Sequence, residues 1–116
     1  MTPKQKTGKW GEEQAKLHLE GQGYQILENN WRFGKAEIDL VAKKESILVF
    51  VEVKTRKSTG FGHPESFVSR GQAGLIKSAS EEYQIQKQHF GFIRFDIIAI
   101  TGTPSSFEIL HLEDAF

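Results

Sequence analysis

The sequence predicts an α/β fold: a mixed central sheet flanked by helices, in the order α-β-β-β-α-β-β. Three observations carry this. The segments SILVFVEVK (46–54) and FIRFDIIAI (92–100) are apolar at both odd and even positions, as strands covered on both faces are. Two helix-compatible segments, Gly8–Glu20 and Val68–Gln88, are spaced along the chain so that one helix can cover each face. A last short segment, SFEILHL (106–112), alternates and suits a sheet edge.

Residues 1–6 are polar and are expected to fray. Thr7 is the expected N-cap of the first helix, which lacks Pro and β-branched residues over Gly8–Glu20. Trp10, Ala15, Leu17 and Leu19 give it a fair apolar stripe, and Gly21-Gln22-Gly23 ends it. YQILENNWRF (24–33) predicts a strand with a polar kink at Asn29-Asn30, followed by a turn at Gly34-Lys35. AEIDLVA (36–42) and SILVFVEVK then predict a hairpin around Lys44-Glu45-Ser46. Residues 55–66 contain Ser, Thr, Pro and two Gly and read as a loop. The second helix tolerates Gly71 and Gly74, each costing about 1 kcal/mol against Ala, and sets Leu75, Ile76, Ala79 and Tyr83 on one side.

At 116 residues the chain reads as one domain, 1–116. Its formal net charge is zero, so an anionic partner must be held by a local basic cluster rather than by the overall field. There is no cysteine, which excludes disulfides, thiolate zinc sites and a Cys nucleophile. The first ten residues, MTPKQKTGKW, carry no apolar run after their lysines, unlike a signal peptide. No stretch approaches the roughly 20 apolar residues of a membrane span, so a cytoplasmic protein is expected.

Glu52 interrupts the most apolar strand, and Lys54 shares its face. A hairpin turn centred between Glu45 and Ser46 places Asp39 directly across from Glu52, with Cβ atoms about 4.5–5.5 Å apart. Two half-buried carboxylates repel and call for positive charge. Lys54 is one cation against two anions. A divalent ion fits the deficit, and carboxylate donors favour magnesium or manganese. A plain ion pair, Asp39–Lys54 or Glu52–Lys54, fits the same residues, and a one-residue slip in register separates the acids.

An Asp at a strand end followed by E-x-K on the next strand, here EIDLVA (37–42) and VFVEVKTR (49–56), resembles the core motif of the PD-(D/E)xK nuclease superfamily. The chain is more closely similar to the bacterial YraN-like family of predicted endonucleases, itself similar to archaeal Holliday-junction resolvases. GKWGE (8–12), Gly23, NWR (30–32), the Pro-containing loop, and RFDII (94–98) complete the pattern over about residues 8–101. The resemblance implies a restriction-endonuclease-like fold, Asp39 and Glu52 as metal ligands, Lys54 as catalytic lysine, and Glu12 as the helix glutamate completing the acidic site. Glu13 competes with Glu12, and a Glu12–Lys16 surface pair is the plainer reading. Ala36 stands where the family usually has Gly. Gln72 stands where the bacterial family often has Lys, and resolvases place a Gln there. Gln72 is therefore a candidate for positioning water or phosphate, beside its plainer reading as a solvated helix residue.

Arg32, Lys35, Arg56, Lys57 and Arg70 are candidate DNA-phosphate contacts, each with a solvated surface as its alternative. Trp31 and Phe33, flanking Arg32, read as core packing, with stacking on unpaired bases as the alternative. Phe61, between two glycines, reads as a stacking candidate or a dimer contact. Arg94 and Asp96 read as a structural ion pair. His63 and Ser66 belong to no triad motif, and four scattered His argue against a His-built metal site. The resemblance implies a Mg- or Mn-dependent endonuclease acting on DNA, with branched DNA as a candidate substrate. Cutting two strands implies a homodimer, with residues 58–67, the second helix and the C-terminal tail as candidate interfaces. The rival reading is a non-catalytic DNA-binding or protein-interaction domain retaining the nuclease fold.

Overall fold

The computed structural model describes residues 1–57 and 68–116. Its elements follow the expected order: α1 (Pro3–Gly21), β1 (Gln25–Phe33), β2 (Ala36–Lys44), β3 (Ile47–Arg56), α2 (Arg70–Gln86), β4 (Phe92–Thr103) and β5 (Ser106–Leu112). The five strands form one sheet in sequential order. β3 and β4 run parallel and the other neighbours antiparallel. A parallel pair needs a crossover, and α2 lies within it.

The first helix corrects the expectation. It begins at Pro3, not Gly8, and its N-cap is Thr2, not Thr7. Thr2 Oγ1 accepts from the Gln5 N–H at 3.2 Å, and Gln5 Oε1 accepts from the Thr2 N–H at 2.9 Å. This reciprocal capping box, with Pro at the first helical position, makes TPKQ a strong start. Thr7 is already inside the helix, where its hydroxyl bonds to Pro3 O at 2.9 Å. Residues 3–6, expected to fray, are therefore an added turn of α1.

Each helix covers one face. Ala15 and Leu19 of α1, with Tyr24, pack on Leu40, Ala42, Val49, Val51, Ile98 and Ile100. Ile76, Ala79 and Tyr83 of α2 pack on Ala36, Ile38, Val41, Leu48 and Phe50. Trp31 is partly buried against this second cluster, edge-on to Tyr83 at 5.1 Å, as core packing predicts, whereas Phe33 at the end of β1 is exposed and lies outside the core. Both faces of β2–β4 are thus apolar because both are covered.

One polar cluster is built into the β4–β5 side of the sheet. Asp96 has no exposed surface. Arg94 forks onto it, Nε to Oδ1 at 2.8 Å and Nη2 to Oδ2 at 2.9 Å. His111 Nε2 lies 2.7 Å from Oδ2, and the Asp114 N–H donates to Oδ1 at 3.1 Å. Burial pushes the Asp96 carboxyl up; bonds from His111, Arg94 and the Asp114 N–H outweigh it and hold the group below its ordinary range. The expected ion pair is present as part of this larger network. His18 of α1 joins through His111, Nε2 to Nδ1 at 3.2 Å.

Candidate functional site

The hairpin has the register expected of it. Pairs run from Lys44↔Ile47 to Leu40↔Val51, so Asp39 and Glu52 come next. There the ladder stops. β2 continues against β1 as far as Phe33↔Ala36, and β3 continues against β4 as far as Arg56↔Thr101. The two strands part beyond Leu40 and Val51, each held by its outer neighbour. The side preference of β2 changes at the same point. Ala36 and Ile38 join the α2-side core, whereas Leu40 and Ala42 join the α1-side core.

Asp39 fills the opening. Its Oδ2 accepts from the Val53 N–H at 2.7 Å, replacing the backbone acceptor that the ladder no longer supplies. Glu52, only 7% exposed, receives Lys54 Nζ at 3.3 Å and Gln72 Nε2 at 3.2 Å, both on Oε1. Gln72 is thus brought into the site by the first turn of α2, where Ser69 Oγ caps its N–H at 3.1 Å. Burial raises the Asp39 carboxyl to about 8, and the Glu52 charge adds to the rise. Burial also raises Glu52, while Lys54 acts against it. Two acids so placed favour sharing a proton or gaining a cation.

The acidic pair lies where two clefts meet. One, of about 590 Å³, runs between α1 and β3 and is lined by Lys4, Thr7, Gly8 and Glu12 on one side and Lys54, Arg56 and Lys57 on the other. The second, about 320 Å³, opens toward Lys35, Glu37, Gln72 and Leu75. Glu12, rather than Glu13, faces the pair. Glu13 instead bonds Lys16 at 3.0 Å and is exposed. Glu12 Oε2 accepts from Asn30 Nδ2 at 3.2 Å. Burial pushes the Glu12 carboxyl up, partly offset by that amide. Asn30 was visible only as a kink. Its left-handed backbone, φ 51°, suits Asn, and its side chain orients Glu12.

Gly11 sets how closely α1 approaches β3. A Cβ there would overlap Thr55 Oγ1 and come within 3.0 Å of Thr55 Cβ. Gly11→Ala is expected to cost about 1–3 kcal/mol through overpacking and to draw Glu12 away from the acidic pair. Urea unfolding of Gly11→Ala, and of Gly11→Ala with Thr55→Ala, checks this. The second change removes Oγ1 and restores part of the loss; an unaltered midpoint in Gly11→Ala alone contradicts the packing account.

Residues 11–100 match the model of the uncharacterised protein family UPF0102. The chain belongs to family UPF0102. A UPF0102 protein of Flavobacterium psychrophilum is 50% identical over 109 residues, covering 94% of this chain and 92% of its own length. One of Flavobacterium johnsoniae is 46% identical over 121 residues, covering 100% and 98%. One of Clostridium perfringens is 40% identical over 112 residues, covering 94% and 92%.

The expected phosphate contacts of this UPF0102 chain divide by position. Arg56 and Lys57 line the larger cleft, and Lys35 the smaller. Arg32 is exposed and pairs with Glu37, directly across on β2, at 3.0 Å. Arg70 is exposed on the first turn of α2. Lys4, not singled out from the sequence, joins the cleft because α1 starts at Pro3. The expected interface at residues 58–67, with Phe61, His63 and Ser66, lies outside the described residues. The oxygen donors of Asp39 and Glu52 suit magnesium or manganese. Among the described residues, no group of three or more His, Cys, Asp or Glu forms a ligand set on its own. Water or substrate oxygens must complete the shell of an ion held there, as is usual for magnesium.

Proposed function

We propose that this UPF0102 chain is a Mg- or Mn-dependent endonuclease of the PD-(D/E)xK type, hydrolysing phosphodiester bonds in DNA. The observation that carries the reading is the convergence of half-buried Asp39 and buried Glu52 on one gap, with the Lys54 ammonium 3.3 Å from Glu52. A divalent ion bound by the two carboxylates supplies Lewis acidity to a phosphoryl oxygen and lowers the pKa of a water. The protein's own groups do the rest. Val53 N–H and Gln72 fix the two carboxylates in place. Lys54, anchored on Glu52, orients the attacking water or stabilises charge gathering on phosphorus. Lys4, Arg56 and Lys57 line the cleft in which the backbone lies. Branched DNA in the cytoplasm is the proposed substrate, and a homodimer supplies the second site for the second strand. α2 exposes Leu75 and Ile85 for such an interface. The C-terminal tail is a weaker candidate, because Phe116 packs on Phe95 of the same chain.

The test is incubation with labelled linear, nicked, flapped and four-way DNAs plus Mg²⁺ or Mn²⁺. Wild type is expected to cut at least one. Glu52→Ala is expected to fall to background, and Lys54→Ala by about 10²–10³, the usual loss for a charge-stabilising donor. Binding without cleavage by wild type favours the non-catalytic DNA-binding reading.

A further inference from the structure

We infer that the apolar groove between α1 and the β4–β5 turn is a subsite for an unpaired DNA base, beside the phosphates in the acidic cleft. This rests on the nuclease reading and narrows its substrate to DNA with a single-stranded segment next to the scissile bond. The groove, about 270 Å³, is lined by Thr7 and Trp10 of α1, by Lys57, and by Thr103 and Pro104 at the turn. It is continuous with the larger cleft, because Thr7 and Lys57 line both.

The two spaces differ in chemistry. The cleft sets Lys4, Arg56 and Lys57 around the acidic pair. The groove is lined by Trp10 and Pro104, together with Lys6, Lys57 and Thr103. A nucleotide divides in the same way, into an anionic phosphate and a flat base with apolar faces. Trp10 is braced edge-on by Phe107, with centroids 4.9 Å apart and planes at 87°, so its position is set without a ligand. A duplex keeps its bases paired and stacked and must flip one out to fill such a slot. A single strand presents its bases already free.

Gly8 supports the path independently. It sits in the interior of α1, where glycine is disfavoured. A Cβ at this position would meet nothing within 4 Å among the described residues, so their packing does not require glycine. Gly8 nevertheless lines the cleft beside Thr7. A bare backbone there permits close approach by a ligand's own backbone.

Fluorescence anisotropy in EDTA, which prevents cleavage, compares three DNAs of equal length: a thymidine strand, an abasic strand and a duplex. The thymidine strand is expected to bind roughly tenfold more tightly than the abasic strand, the value of about one base stacked on an aromatic ring. Thr103→Glu, which puts charge into the groove from the exposed end of β4, is expected to erase that preference. Its thermal unfolding and Mn²⁺ affinity are expected to match wild type. Equal binding of thymidine and abasic strands, a duplex binding as tightly as the thymidine strand, or a preference that survives in Thr103→Glu overturns the subsite alone. No binding of any DNA, the duplex included, either in EDTA or with Mn²⁺, overturns the nuclease reading and the subsite with it.

Discussion

Replacing Asp39 with Asn is expected to stabilise the metal-free protein and to abolish cleavage. Asn keeps an oxygen to accept from Val53 N–H and loses the charge that faces Glu52. In the folded protein the Asp39 carboxyl is raised to about 8 from an ordinary 3.8, first by burial and then by Glu52. The fold therefore binds a proton that the unfolded chain releases. The cost of burying Asp39 is absent below about pH 4 and grows as pH rises toward 8, so this group's contribution to stability falls over that range. The Asn variant lacks this slope. The two are expected to match near pH 4 and to separate by about 2 kcal/mol at pH 8, discounted from the full shift because the group is partly exposed. Urea unfolding in EDTA at both pH values measures the gap. A variant less stable than wild type at pH 8 contradicts the account.

Asp96→Ala is expected to have the largest effect on stability, a loss of about 3–5 kcal/mol. The change leaves the half-buried Arg94 guanidinium and His111 facing an empty site, and removes the acceptor of the Asp114 N–H. Against a total of about 5–15 kcal/mol for a domain, that approaches unfolding. The pH dependence has the opposite sign to that of Asp39. The Asp96 carboxyl is held below its ordinary 3.8, so its contribution is present above that pH and lost as pH falls below it. Chemical denaturation at pH 7 and pH 3 measures both. A midpoint unchanged by Asp96→Ala at pH 7 contradicts the assigned role.

The fold was largely legible because its signals are local. Two-faced apolar runs gave the strands, and the short Lys44–Ser46 connection gave the hairpin register that puts Asp39 next to Glu52. The start of α1 was also local: TPKQ is a capping box, obscured by the polar letters around it. What was not legible depends on distant segments. The parting of β2 from β3 at Asp39 requires β1 and β4 to hold the outer edges. The resemblance already favoured Glu12 over Glu13, but not the distant Asn30 that holds it. Gln72 was likewise a candidate, while its bond to Glu52 depends on the crossover setting α2 against that end of the sheet. His18 and His111 read as scattered residues and meet across the α1–β5 contact. Arg32 read as a phosphate contact, and its exposed pairing with Glu37 across the strands was not foreseen.

The central claim is that Asp39 and Glu52 together hold one divalent ion, and calorimetric titration with Mn²⁺ tests it most directly. The account predicts one saturable site per wild-type chain and no measurable site in Asp39→Asn. An absence of binding in wild type, or binding of equal strength in Asp39→Asn, contradicts it.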